Sequence, residues 1–169
     1  MIDGAQVNLL DFGTDTQAFI DAAATGNTVV VPTGAYNLAT KALFTTFARF
    51  HFEKAVTLTF TGTDEHMLEF QGGMQFSGDK LVIDTQGNDT VAGVLQTSGV
   101  PDIDKSECKV LNTSGHAWLS QQATGHGKLI NAVAEDCGRG FHVYGIDEDE
   151  LLSTVTLVVN NMRTAGTTG

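Results

Sequence analysis

Acidic side chains at recurring positions are where this chain could do chemistry. Asp84, Glu135 and Asp136 fall in segments that align with one another: LVIDTQG at 81–87, KVLNTSG at 109–115 and AVAEDCG at 132–138, with LVVNNMR at 157–163 as a fourth copy. Gly87, Gly115 and Gly138 set the register, in steps of 28 and 23 residues. In that register Val82, Val110, Val133 and Val158 share one column, and Asp84, Asn112, Glu135 and Asn160 share the column two residues later. Paired carboxylates on one face are the equipment of glycoside hydrolysis, one as general acid and the other as base or nucleophile. Asp84 and Glu135 lie two copies apart, roughly 9 to 10 Å if the copies stack as neighbouring strands. That is near the upper limit for inverting hydrolysis and too far for retention. Asn and acidic side chains stacked at a turn also bond one another and the backbone, and this structural use is the one expected.

Asp136, beside Glu135, offers a second chemistry together with Arg139 or Arg163: carboxylates holding calcium while a basic group abstracts a sugar proton. Turn capping or a surface ion pair is the expected role of these residues, and the IDEDE run at 146–150 reads as a solvated loop. Trp118 and Phe141 are 23 residues apart, one local repeat, so they should be neighbours in one column. Facing outward they would form a platform for the apolar face of a sugar; facing inward they are stacked core, which is the expected direction. His116, His126 and His142 have no metal-ligand spacing, and the sequence carries no zinc, GxSxG, P-loop or dinucleotide-binding motif, so no metal site or cofactor is expected. Cys108 and Cys137 read as buried thiols.

The elements that must position these residues are mostly strands. Nineteen glycines against two prolines suit short strands joined by tight turns, and 41% hydrophobic residues in 169 are enough for one core. TDTQAFIDAAATGN reads as a short helix with Thr14 as N-cap, Gln17 as its capping-box partner and Gly26 as its stop. TVVVP reads as a strand covered on both sides; Phe50, Phe52, Val56, Leu58 and Phe60 alternate with period two, and the phenylalanines are expected in the core. Copies of 23 to 28 residues with uneven steps predict coils of three short strands with turns of variable length. The chain is therefore read as all-β, a right-handed parallel β-helix of about four coils behind a short capping helix. It forms one domain over 1–169: cap and first strands at 1–40, a transition at 41–65, and repeating coils at 66–169.

Phe12, Gly13, Asp15 and Thr16 precede the alanines Ala18, Ala22 and Ala23, and Val29, Val30, Val31 and Pro32 are followed by Gly34 and Tyr36. Over residues 10 to 38 this series resembles the N-terminal cap of the pectate-lyase-like β-helices, the family of phage tailspikes and of plant and bacterial polysaccharide-degrading enzymes. The chain departs from that pattern in two ways. Only Thr14 separates Gly13 from Asp15, where the family has a Gly- and Asp-rich loop, and the coils are fewer than in the family's enzymes, which carry their groove on the middle ones.

The resemblance implies a phage virion structural protein similar to a truncated tailspike, carried on tail or capsid and contacting other virion proteins or host surface polysaccharide. The alternative is a polysaccharide depolymerase, hydrolase or lyase, or its N-terminal fragment, working through Asp84, Glu135 or Asp136. TVTLVVNNMRTAGTTG shows no cap for the last coil; neighbouring protomers around a threefold axis would cover that edge and make a homotrimer the expected state, with another virion component or a C-terminal region lost by truncation as the alternatives. A net charge of −11 opposes nucleic-acid binding. MIDGAQVNLL lacks the features of a secretory signal, and no apolar run is long enough to insert in a membrane.

Overall fold

A computed structural model describes residues 5–98, 101–123, 125–145, 155–160 and 163–166. After β1 (Gln6–Asn8) and a 3-10 turn (Leu9–Asp11) comes the helix α1 (Thr16–Ala24). The strands that follow are β2 (Thr28–Val31), β3 (Gly34–Leu38), β4 (Ala42–Phe44), β5 (Ala48–Phe60), β6 (His66–Phe70), β7 (Met74–Asp84) and β8 (Ala92–Gln96). They continue as β9 (Asp102–Leu111), β10 (His116–Ala123), β11 (Gly125–Glu135), β12 (Arg139–Gly145), β13 (Val155–Asn160) and β14 (Arg163–Ala165). The strands alternate between two parallel sheets. The first runs β1-β2-β5-β7-β9-β11-β13, with β3 also on β5 and β14 also on β11; the second runs β4-β6-β8-β10-β12. The result is a right-handed β-solenoid of about five turns with one short helix. β4 and β5 are already full members of the sheets, so the coils begin before residue 66.

The long strands bend partway. The pairing of β5 with β7 slips between Phe52 and Ala55, and that of β11 with β9 slips between Ile130 and Ala132. Lys54, Gly78 and Asn131 have positive φ at these bends, so each coil consists of three straight stretches. Gly78 is required twice over: its φ is +97°, and a Cβ there would run into the Phe52 carbonyl.

The helix caps the first coil. Its N-cap is Asp15, not Thr14: Asp15 has extended backbone immediately before the first helical residue, Thr16, and its carboxylate accepts from Ala18 N at 2.9 Å. Gln17 bonds Asp21 along the helix rather than closing a capping box. Gly26, at φ +72°, ends the helix as expected. Ala18, Phe19, Ala22 and Ala23 are buried, and Phe19 meets the edge of Tyr36 at 5.6 Å. Burying Phe19 alone is worth about 2 kcal/mol. Behind it the core is a ladder of rings: Phe44 stacks on Phe70 at 4.7 Å, Phe50 meets Phe76 at 6.0 Å, and Phe76 meets Trp118 at 5.9 Å. Cys108 and Cys137 are buried free thiols.

The repeats stack, but not all in the predicted columns. Val82 lies opposite Lys109, which lies opposite Val133; Val110 instead lies between Ile83 and Ala134. Aligning the copies on glycine fails because the turns differ by a residue: Gly87 N bonds Asn112 O, so Gly87 is not level with Gly115. The fourth copy is displaced further. Val158 pairs with Lys128 and Asn160 with Ile130, whereas Arg163 is the residue opposite Val133. β13 continues the first half of β11 and β14 the second half, so the apolar pair in LVVNNMR is an earlier rung than its resemblance to AVAEDCG suggests.

Candidate functional site

The corner where the first sheet turns toward the second gathers the predicted carboxylates. Asp84 and Glu135 do share a column two rungs apart, but the residue between them is Leu111, not Asn112. Both carboxylates have partners. Asp84 Oδ1 accepts from Asn112 Nδ2 at 2.9 Å and from Gln86 N at 3.0 Å, while Glu135 Oε2 takes the Lys109 ammonium at 2.9 Å. Asp136 is a turn residue at φ 52°, level with Asn112 at φ 55°, and its amide bonds Ala165 O. Asn and Asp tolerate this left-handed conformation better than other residues with a Cβ, which explains their stacking at the corner.

The aromatic pair also stands in one column: Trp118 is opposite Phe141, with ring centroids 6.4 Å apart and planes within 20°. The pair points inward. Trp118 is 0% exposed and Phe141 packs against the core, so the outward sugar platform is not formed; position 118 continues the inward column of Leu68 and Val94. The 146–150 run and the side chains of His126, Val158 and Arg163 lie outside the described residues.

Two polar features escaped the sequence reading. Asp89 is 1% exposed and ties the corner together: it accepts from Thr85 Oγ1 at 2.6 Å, Ser114 N at 3.1 Å and Gly115 N at 3.3 Å. Its trace in the sequence is the Asn-Asp turn at 88–89, four residues beyond Thr85. Lys105 is 4% exposed, with Nζ donating to Ser77 O at 3.0 Å and lying 4.6 Å from the centre of the Phe52 ring. Burial pushes its ammonium down to about 8, with the Asp79 carboxylate opposing. The signal was the alternation in DIDKSE, where Lys105 takes the inward phase of Ile103.

On the second sheet His66, Ala92, His116 and Arg139 form one column, with His142 one turn from His116 at 5.4 Å between ring centres. His116 is held below the ordinary histidine range by burial and then by the charges of Arg139 and His142. Burial also lowers His66, against the pull of Glu69. Burial alone would raise Glu69, but hydrogen bonds from Lys41 at 2.6 Å and Gln71 at 2.8 Å outweigh it and hold the carboxyl below its usual range. No group of three or more His, Cys, Asp or Glu suited to a metal ion occurs among the described residues. In comparisons with protein-family models, with curated proteins and with solved structures, no match to this chain was found.

Proposed function

We propose that this chain is a structural β-helix of a phage virion, similar to a truncated tailspike. In this reading it is a homotrimer on tail or capsid that contacts other virion proteins and host surface polysaccharide. The observation that favours a structural over a catalytic role is the occupation of the carboxylate pair. Asp84 is engaged by Asn112 and Gln86, and Glu135 by Lys109. A general acid and base must instead face a substrate proton and a water. The virion assignment itself rests on the resemblance of residues 10 to 38 to the family's cap, and fold alone carries no function.

One observation supports the depolymerase alternative: Asp84 and Glu135 share a column two rungs apart, and that strand spacing of about 9 to 10 Å lies at the upper limit of the inverting range. The deciding experiment measures solution mass and reducing-end release from a panel of capsular and lipopolysaccharide glycans on the same sample. A trimer that releases no ends is expected. Release that disappears in Asp84→Asn or Glu135→Gln replaces the structural reading with the depolymerase, and a monomer at all concentrations removes the trimer.

A further inference from the structure

Beside the corner, where the coils enter the second sheet, a surface cleft of about 390 Å³ lies between Thr90, Val91, Gly115, His116, Gly138 and Arg139. Its floor is backbone. A Cβ on Gly115 would run into the Val91 carbonyl and one on Gly138 into the Ser114 carbonyl, so the turns press together there and leave a shelf without side chains.

Arg139 is exposed at the rim of this shelf. Lys41, Lys80, Lys109 and Lys128 are each held by a carboxylate, but Arg139 has no such partner among the described residues. A histidine, which can be neutral, stands beside it instead: Nη1 lies 3.5 Å from His116 Nε2. A guanidinium N–H facing Nε2 favours the neutral imidazole with its proton on Nδ1, and Nδ1 is buried without a hydrogen-bond partner. His116 is only 8% exposed, so the ring is a fixed wall rather than a mobile surface group. A planar guanidinium with spare donors and a hydroxyl at Thr90 make a setting for a small oxyanion; the shelf contributes room and not donors, since the Ser114 and Gly115 amides donate to Asp89 and those of His116, Gly138 and Arg139 to backbone carbonyls. With a net charge of −11, a cation over a concavity with no carboxylate partner among the described residues is notable.

We propose that this cleft is an oxyanion site, in which Arg139 receives one carboxylate or phosphate group of a ligand and the Thr90 hydroxyl donates to the same group. A bound anion also screens Arg139 from His116 and so raises the pH at which His116 titrates. The site does not depend on the virion reading, and its failure would leave that reading untouched.

The test titrates the full chain with inorganic phosphate and, separately, with glucuronate, following the His116 ring resonances by NMR across pH. Saturable binding in roughly the millimolar range with a rise in the His116 titration midpoint is expected. Arg139→Gln should weaken it about tenfold or more, with Arg139→Lys intermediate, since a charge-assisted bond is lost in one and its fork geometry in the other. Saturation by phosphate alone assigns a phosphate-bearing ligand, by glucuronate alone an acidic sugar, and by both a general oxyanion site. No saturation with either probe overturns the proposal. So does unchanged binding in Arg139→Gln when its melting temperature matches the parent chain.

Discussion

Lys105 makes the stability of this fold depend on alkaline pH in a way that can be calculated. Its ammonium sits at the bend of the coil, opposite Gly78, against the Phe52 ring and the Ser77 carbonyl. Most lysines that gain a partner bind their proton more tightly in the folded state. Lys105 is the reverse, because burial lowers it from 10.5 to about 8. Between those values the unfolded chain binds more protons than the folded one, so stability rises as pH rises. At pH 7 the charged side chain costs the fold about 3 kcal/mol, and by pH 10 the cost falls below about 1 kcal/mol.

Lys105→Met removes the charge and keeps the length of the side chain. At pH 7 the variant should be as stable as the parent or more so by about 1 to 3 kcal/mol, since it loses the bond to Ser77 O but no longer buries an ion. From pH 7 to pH 10 the parent should gain about 2.5 kcal/mol relative to the variant. Urea denaturation at each pH unit, followed by the fluorescence of the single, fully buried Trp118, reads this difference directly. Tyr36 is raised by burial in both proteins and cancels in the comparison; Cys108 interacts with Lys105, but burial pushes its thiol up to about 12, so it stays protonated in both folded proteins through pH 10. A gap between parent and variant that stays constant to within about 0.5 kcal/mol across this range would refute the linkage argument.

Other substitutions test the register and the corner. Trp118→Ala should cost about 3 to 5 kcal/mol, because it removes the ring between Phe76 and Phe141; thermal denaturation showing a loss under about 1 kcal/mol would place the indole outside the core. Asp89→Ala should cost about 2 to 3 kcal/mol by orphaning the Ser114 and Gly115 amides, with Asp89→Asn milder, and hydrogen exchange should report the loss first at those two amides. Val110→Asp buries an unpaired charge in the inward column of Ile83 and Ala134 and should unfold the stack, as read by circular dichroism. Asp84→Asn and Glu135→Gln remove partly exposed partners and should each shift stability by less than about 1 kcal/mol.

The solenoid was legible because every coil repeats the same apolar-polar pattern, and the helix was legible because alanines with Phe19 and Ile20 leave one apolar face. Column membership was legible only where no turn or bulge intervenes. Trp118 and Phe141 come out level because the chain from β10 to β12 stays in step up to Ser120. Val82 and Val110 do not, because the turn after Leu111 holds one residue more before its glycine than the turn after Asp84, and that extra residue has no signature separate from the turn itself. A one-residue slip moves every side chain to the opposite face. That is how Val110, an inward residue, was matched to Val82, which is partly exposed on the outer face.

The same slip limits what a sequence can say about the site. Aligned on glycine, Asp84, Asn112 and Glu135 are three successive rungs of one polar column, which would give a continuous acceptor stripe. The coil instead alternates Asp84, Leu111 and Glu135 on the strand face and sets Asn112 into the turn, so an apolar residue separates the two carboxylates. Each carboxylate then finds its partner from an adjacent coil: Asn112 bonds Asp84, and Lys109 bonds Glu135. Asp89 does the same work inside the turn, where the cost of an unpaired amide is highest. Turn amides and turn carboxylates thus satisfy one another between coils. A cation that this pairing leaves without a carboxylate among the described residues, as at Arg139, is therefore a better guide to a ligand than the engaged carboxylates Asp84 and Glu135.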